Sequence, residues 1–370
     1  MTRNPLSLLA ILISLGLLAA GLAAAEAQEG WKVEWARTSE AAKKEGGLSV
    51  YGPSNRDEQK ALIDAFQRAY PHIHVDYVSG RLSQLASRIM AERRAEKFLV
   101  DILIGSTTTP NRALKPAGVF DPIRPALILP EVLDPSVWFK KKHWFGDEEE
   151  KYLILWRGGS SGSFMINTSL ARKEELNSYW DVVGPKWKGR IVAQDPRVPG
   201  RGYSTVVFLY YAKDYGPQYL KRLFGEMGLV ISRDSRQIVD WLAHGKFAVA
   251  LFVGSQGESS VTARQGLPVA EIEPTRGTSA LGTPRTVTLV NRAPHPNAAR
   301  VYINWLLSRE GQIAYQQATA TNSLRIDIPK ESVNPAEILR EDHEYIPQNL
   351  ERYEEGARAP LKKIFDEYLK

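Results

Sequence analysis

Cysteine is absent from all 370 residues, which excludes disulfides, thiolate metal sites and lipid attachment through a cysteine. Histidine is scarce, with six in the chain, and His72 and His74 are the two that fall close together. Two apart in a strand-forming stretch, they share one face, but no third ligand is placed to complete a site, so no metal is expected. Nucleotide fingerprints are missing as well. Gly200-Arg-Gly202 lacks the third glycine of a dinucleotide loop, and no P-loop occurs. Lys and Arg form no run longer than the three lysines at 140–142. The net charge is +6, mild and dispersed, which disfavours nucleic acid and suits encounters with small anions. No cofactor is implied.

One long apolar run exists, and it lies at the N-terminus. Arg3 precedes Leu6–Leu22, and Ala23-Ala24-Ala25-Glu26-Ala27 follows. Both Ala23-x-Ala25 and Ala25-x-Ala27 fit the small-residue cleavage pattern of a secretory signal peptide. We read residues 1–27 as that peptide, cut before Glu26 or Gln28, in place of an uncleaved anchor. The mature chain is then expected free in a bacterial periplasm, without a lipid tether.

What remains is long enough for two domains. Strand-like stretches (Leu48–Tyr51, Ile73–Tyr77, Leu99–Ile104) alternate with amphipathic helices through Leu62–Ala69 and Leu82–Met90. That alternation predicts parallel βαβ units. From about Asp121 to Lys151 the pattern dissolves into a surface excursion. Arg157-Gly-Gly-Ser-Ser-Gly-Ser163 reads as a flexible interdomain crossing, and Glu273–Gly277 as a return. Between them a second βα pattern uses Ile191–Ala193, helices from Ser204 and around Tyr219–Phe224, and strands at Leu229–Ser232 and Phe247–Val253. Thr286–Val290 is a further strand and Asn297 begins a further helix.

The stretch Gln194–Tyr211 stands at the centre of this reading. A short strand turns through Pro196, Pro199, Gly200 and Gly202 into an apolar helix. A helix start leaves backbone N–H groups unpaired beside the positive end of the dipole, an anion trap. Arg197 and Arg201 add side-chain charge, and Ser204 or Thr205 is positioned to cap the helix.

Several phrases, in order and spacing, carry a resemblance. They are Ala41-Ala-Lys-Lys-Glu-Gly46, Leu48-Ser-Val-Tyr-Gly52, Ser178-Tyr-Trp-Asp-Val-Val183, Pro185-Lys-Trp-Lys-Gly-Arg-Ile191, Asp195-Pro-Arg197 and Ala293-Pro-His-Pro-Asn-Ala298, running on to Asn304–Gln312. Together they resemble the periplasmic solute-binding proteins of ABC importers, in the cluster that includes the ferric-ion binders, up to about Pro329. The resemblance implies an α/β, two-lobed periplasmic-binding fold of the second type with two crossing segments. It implies a first lobe of residues 28–157 plus 274–330, a second of 158–273 joined by the helical segment 331–370, and an inner-membrane permease as partner. A monomer is expected. The iron binders' histidine, glutamate and tyrosine pair correspond here to Asn55, Ser106 and Val253-Gly254-Ser255, so their metal site is not carried over.

The expected cleft is therefore lined by Ser54, Asn55, Ser106, Thr107, Gly202, Tyr203, Ser204, Thr205 and Ser255, with Arg197 or Arg201, and Arg325 reaching in from the first lobe. Neutral donors plus arginine, without carboxylates, suit a carboxylate, phosphonate, phosphate or sulfate. Ferric ion held through a bound anion and Tyr203 is an alternative. Gly158-Gly-Ser160-Ser-Gly162 matches a hydrolase elbow, which needs a strand before and a helix after. Ser163–Asn167 reads as a strand, so a serine hydrolase using Ser160 or Ser161 is the weaker reading and no enzyme is expected.

Overall fold

The computed structural model describes residues 30–161, 164–198, 201–253, 266–347 and 351–369. The leader and Ser255 lie outside them. Helix α1 (30–45) ends at Gly46, whose φ of +69° is the left-handed stop that glycine supplies without strain. Strand β1 (Gly47–Gly52), helix α2 (Arg56–Ala69), β2 (His74–Ser79), α3 (Leu82–Arg94) and β3 (Ile102–Gly105) follow. β1 pairs in parallel with both β2 and β3. Alternate β1 residues face opposite ways. Val50 packs with Leu62 and Phe66 of α2, while Tyr51 packs with Leu85 and Ile89 of α3.

The chain continues through β4 (Phe120–Asp121), β5 (Trp144–Phe145), β6 (Ile154–Ser161), β7 (Phe164–Asn167), β8 (Ile191–Gln194), α4 (Arg201–Tyr211) and α5 (Gly216–Glu226). Next are β9 (Val230–Ser232), α6 (Ser235–Ala243), β10 (Val249–Leu251), β11 (Val269–Ile272) and β12 (Ser279–Val290). The last elements are α7 (Pro296–Leu307), α8 (Arg309–Thr319), β13 (Tyr345–Pro347) and α9 (Glu351–Tyr368). Two sheets result among the described residues. One has the order β2-β1-β3-β12-β6-β5, with β4 and β13 also on β12; the other runs β11-β7-β10-β8-β9. Each has its own core. Phe66, Trp156 and Trp305 centre the first, and Phe208, Tyr219 and Leu223 the second, to which α9 adds Ala357, Leu361, Ile364 and Phe365. The fold is the expected two-lobed α/β type. β6 and β12 span the crossing as an antiparallel pair, with Ser160 opposite Leu281 and Ser161 opposite Ala280.

Three local expectations are corrected. Residues 121–151 are no surface excursion: Ile123, Val132, Trp138, Phe139, Trp144 and Phe145 join the first core. Prolines and short turns erase their periodicity, yet the apolar side chains still converge. Residues 157–161 are not loose either, because strand pairing with β12 satisfies their backbone despite the glycines. Helices α6 and α8 also add to the expected elements. Asp234 caps α6, accepting from the amides of Arg236 and Gln237 at 2.9 and 3.2 Å, and Ile238, Val239 and Leu242 form its buried stripe.

Candidate functional site

In parallel α/β sheets the carboxyl ends of strands present the binding loops. At the end of β1, Ser54 and Asn55 are exposed. Asn55 Oδ1 accepts from the Glu58 amide at 2.8 Å and so caps α2. Behind it lies a charged knot. Glu58 is buried and receives Arg285 Nε and Nη2 at 2.6 and 2.9 Å, the Tyr315 hydroxyl at 2.7 Å, and the charge of Arg157 at 3.6 Å. Burial alone would raise this carboxyl, but Arg285, Tyr315 and Arg157 more than offset it and hold it below the usual carboxylate range. A register shift in β12 around Arg285 sets that residue opposite Arg157 on β6, as bulges re-aim side chains. Arg157 donates to Tyr315 at 3.3 Å, and its Nε is buried with no hydrogen-bond partner among the described residues.

At the end of β3, Ser106 is half-buried and Thr107 buried. The Thr107 methyl fills the space beside Gly146, only 2.4 Å from where a Cβ would stand there. Asn111 fixes the same turn by donating to the Gly146 carbonyl at 2.7 Å.

In the second lobe the sequence reading is partly corrected. Arg197 does not reach into a cleft. Its guanidinium is committed to Asp195 at 2.8 and 3.0 Å and to the Leu369 carbonyl at 2.8 Å. Asp195, paired chiefly with Arg197 and also with Arg233, is held down to about 2. Ser204 and Thr205 are not caps, because α4 already begins at Arg201 and both sit in its first turn. Thr205 is buried, and Tyr203 and Ser204 are half-buried. Gly202 lets α4 seat on the end of β8, since a Cβ there would stand 3.2 Å from the carbonyl oxygens of Gln194 and Asp195. Arg201 is different. It opens α4, stays partly exposed, and makes no hydrogen bond or ion pair among the described residues.

Arg325 is corrected as well. It is 1% exposed, bound to Asp327 at 2.9 and 2.8 Å, to the Leu307 carbonyl at 2.9 Å and to Glu131 at 3.2 Å, with Trp138 beneath it. Every side of the guanidinium is used inside the first lobe. Conversely, carboxylates absent from the expected loops arrive from elsewhere. Glu337 packs over Gly159, its Cβ 3.2 Å from where a glycine Cβ would be. Ser160 donates its hydroxyl to Glu273 across the crossing. Burial pushes the Glu273 carboxyl up to about 7, against the Ser160 hydrogen bond and the charges of Arg340 and Arg201. Ser160 lies inside β6 and β7 follows, so the strand-to-helix geometry of a hydrolase elbow is not formed. Nothing in the local sequence ranked Arg157, Arg285, Glu58, Glu273 or Glu337. They are brought together by strand register and by the segment after Pro329.

Glu273 gives a prediction. Because its folded value of about 7 exceeds the ordinary 4.5, the native state holds a proton that the unfolded chain has released between those values. Stability therefore falls as pH rises through that window, by about 3 kcal/mol at roughly 1.4 kcal/mol per unit. Urea midpoints of wild type and Glu273→Gln at pH 5 and pH 7.5 are expected to differ in slope. A wild-type decline no steeper than the variant's would refute the assignment.

Among the described residues no three His, Asp or Glu side chains gather as a metal-binding group, and no helix is long and apolar enough to cross a membrane. A Haemophilus influenzae protein of uncharacterised function is 24% identical over 372 residues, covering 96% of this chain and 95% of that one. The Trichodesmium protein IdiA (FutA), solved with iron and citrate, superposes with a TM-score of 0.64 at 18% identity, covering 87% of this chain and 99% of its own. AfuA from Actinobacillus pleuropneumoniae, solved with fructose-6-phosphate, gives 0.54 at 19% identity, covering 87% and 98%. These likenesses establish the fold. The sequence model for bacterial extracellular solute-binding proteins matches residues 52–313. With that match spanning well over half of its length, the chain belongs to the bacterial extracellular solute-binding proteins, the substrate-binding components of ABC importers.

Proposed function

We propose that the protein captures a small anionic solute, a carboxylate, phosphonate, phosphate or similar group, between its lobes and delivers it to an inner-membrane ABC permease. It acts as a periplasmic monomer once residues 1–27 are removed, with lobes of residues 28–157 plus 274–330 and 158–273, and α9 riding on the second. The observation that carries the reading is Arg201: a guanidinium that makes no hydrogen bond or ion pair among the described residues, its charge felt by the carboxyls of Glu273 and Glu337, at the first residue of an 11-residue helix, where unpaired amides and the helix dipole already favour an anion. Ser54, Asn55 and Ser106 face the solute from the first lobe in this reading. An open and a closed state exchange by hinge bending at the crossing strands, and the solute favours the closed one because only there do both lobes touch it. AfuA, solved with a sugar phosphate, is a precedent for an anion in such a fold.

A thermal-shift screen across carboxylates, phosphonates, phosphates and sulfate tests this. At a hundred times the dissociation constant, a true ligand adds about 2.7 kcal/mol of stability, so at least one class is expected to raise the melting temperature clearly. A response confined to polyamines, or to ferric ion alone, would overturn the anion. Likeness to the iron and citrate complex of IdiA favours one second reading, ferric ion held through a bound anion and Tyr203. A visible charge-transfer band when iron and citrate are added together marks that case.

A further inference from the structure

Helix α9 makes contacts that belong to both lobes. Along its length Ala357, Leu361, Ile364 and Phe365 are buried in the second core, and the Phe365 ring meets Phe224 edge-on at 5.9 Å. At its head, Glu351 accepts from Lys115 Nζ at 2.5 Å, and the same ammonium donates to Glu149 at 2.7 Å. Lys115 directly follows Leu114, which is buried in a first-lobe cluster with Leu103 and Leu153. Glu149 lies in the turn between β5 and β6. One residue along α9, Arg352 reaches Glu148 of that turn at 3.5 Å. Tyr353 then packs on Tyr211, the last residue of α4, at 4.7 Å between ring centres.

The two halves of this contact differ in kind. The body of α9 is held by apolar burial, which is strong and unspecific about angle. Its head is held by charge-assisted hydrogen bonds, which are directional. The Lys115 and Glu351 side chains are 13% and 20% exposed, so water screens this pair less than a surface ion pair. An ammonium shared between one carboxylate from each lobe fixes their distance. Its α9 side, Glu351, lies beyond residues 52–313, the part shared with the family, whereas Lys115 and Glu149 lie within it.

We propose that α9 is an interlobe strap, anchored in the second lobe by its apolar face and locked to the first by Lys115 between Glu149 and Glu351. The strap holds one relative placement of the lobes, and any change of cleft opening has to release it.

The absence of cysteine makes the test direct and free of any need for a ligand. Cysteines at exposed Lys97, on the first lobe, and exposed Arg222, on the second, take spin labels, and the distance between them is measured by pulsed electron paramagnetic resonance on the full chain. Lys115→Glu is expected to broaden the distribution and move its maximum by about 5 Å or more, the scale of discrete lobe and helix shifts. In Lys115→Glu/Glu351→Lys the charges trade places, so the ammonium introduced at position 351 can bridge Glu149 and the carboxylate introduced at position 115. The parent distribution is then expected to return. Circular dichroism confirms folding, and Glu351→Gln, a milder break of the same tie, gives the readout if Lys115→Glu fails to fold. A Lys115→Glu or Glu351→Gln distribution superimposed on the parent, or a charge exchange that restores nothing, overturns the strap.

Discussion

Glu58→Gln is expected to lower the stability of the protein by about 2–4 kcal/mol and its melting temperature by several degrees, although the side chain lies outside every hydrophobic cluster. The buried carboxylate is the counter-charge of Arg285 and Arg157 and accepts from Tyr315. Removing one partner of a buried pair typically costs about 3–5 kcal/mol because the other charge is left uncompensated. We reduce that range because the Arg285 side chain is 23% exposed, so water relieves part of the penalty. The loss has a pH signature. Glu58 titrates below its usual range, so its contribution is fully present above the ordinary carboxylate pKa and fades as pH falls through the folded value. Chemical denaturation at pH 7 and pH 3.5 is expected to show the variant's deficit shrinking in acid. Glu58→Leu/Arg285→Met is expected to recover part of the loss, since fewer charges are left stranded. A single variant within about 0.5 kcal/mol of wild type, the scatter of neutral surface changes, would show that the knot does not hold the lobe.

Arg201→Ala is expected to weaken binding of the anion found by the thermal-shift screen by roughly 10- to 150-fold, from the roughly 1.5–3 kcal/mol typical of a hydrogen bond to a charged group. Stability without ligand should change little, because Arg201 makes no hydrogen bond or ion pair among the described residues and loses only its longer-range attraction to Glu273 and Glu337. Arg197→Ala is the control with the opposite profile. It frees Asp195 and the Leu369 carbonyl and is expected to lower stability modestly while leaving affinity near wild type. Titration calorimetry on both variants separates the roles. If Arg197→Ala abolishes binding and Arg201→Ala does not, the site lies elsewhere than the α4 N-terminus.

The contrast between these arginines shows where sequence reasoning ran out. Arg197, Arg201 and Arg325 look alike along the chain, each near small polar residues and turns. Their roles separate only through neighbours distant in sequence. Arg197 meets the residue that follows α9, Arg325 is enclosed by Glu131, Leu307 and Trp138, and Arg201 makes no hydrogen bond or ion pair among the described residues. The same holds for Glu58. Its place three residues past Asn55 identifies a helix start, but Arg285 reaches it from 227 positions away through a register shift in β12.

Local pattern was sufficient for whatever depends on near neighbours. Alternating strands and helices from Gly47 to Gly105 gave the parallel βαβ lobe, because side-chain period and turn chemistry are short-range properties. The ordered phrases from Ala41 to Gln312 gave the family, and the cysteine-free, mildly basic composition already excluded disulfide and thiolate chemistry. Tertiary structure decided the rest: that residues 121–151 plunge into the core, that the glycine-rich crossing is a paired strand, which arginine makes no hydrogen bond or ion pair among the described residues, and that the chain after Pro329 returns to lay Glu337 over Gly159 and Glu351 against Lys115. Each of these is settled by which surfaces meet once two lobes are packed, and a contact between surfaces hundreds of residues apart leaves no periodic trace in either stretch.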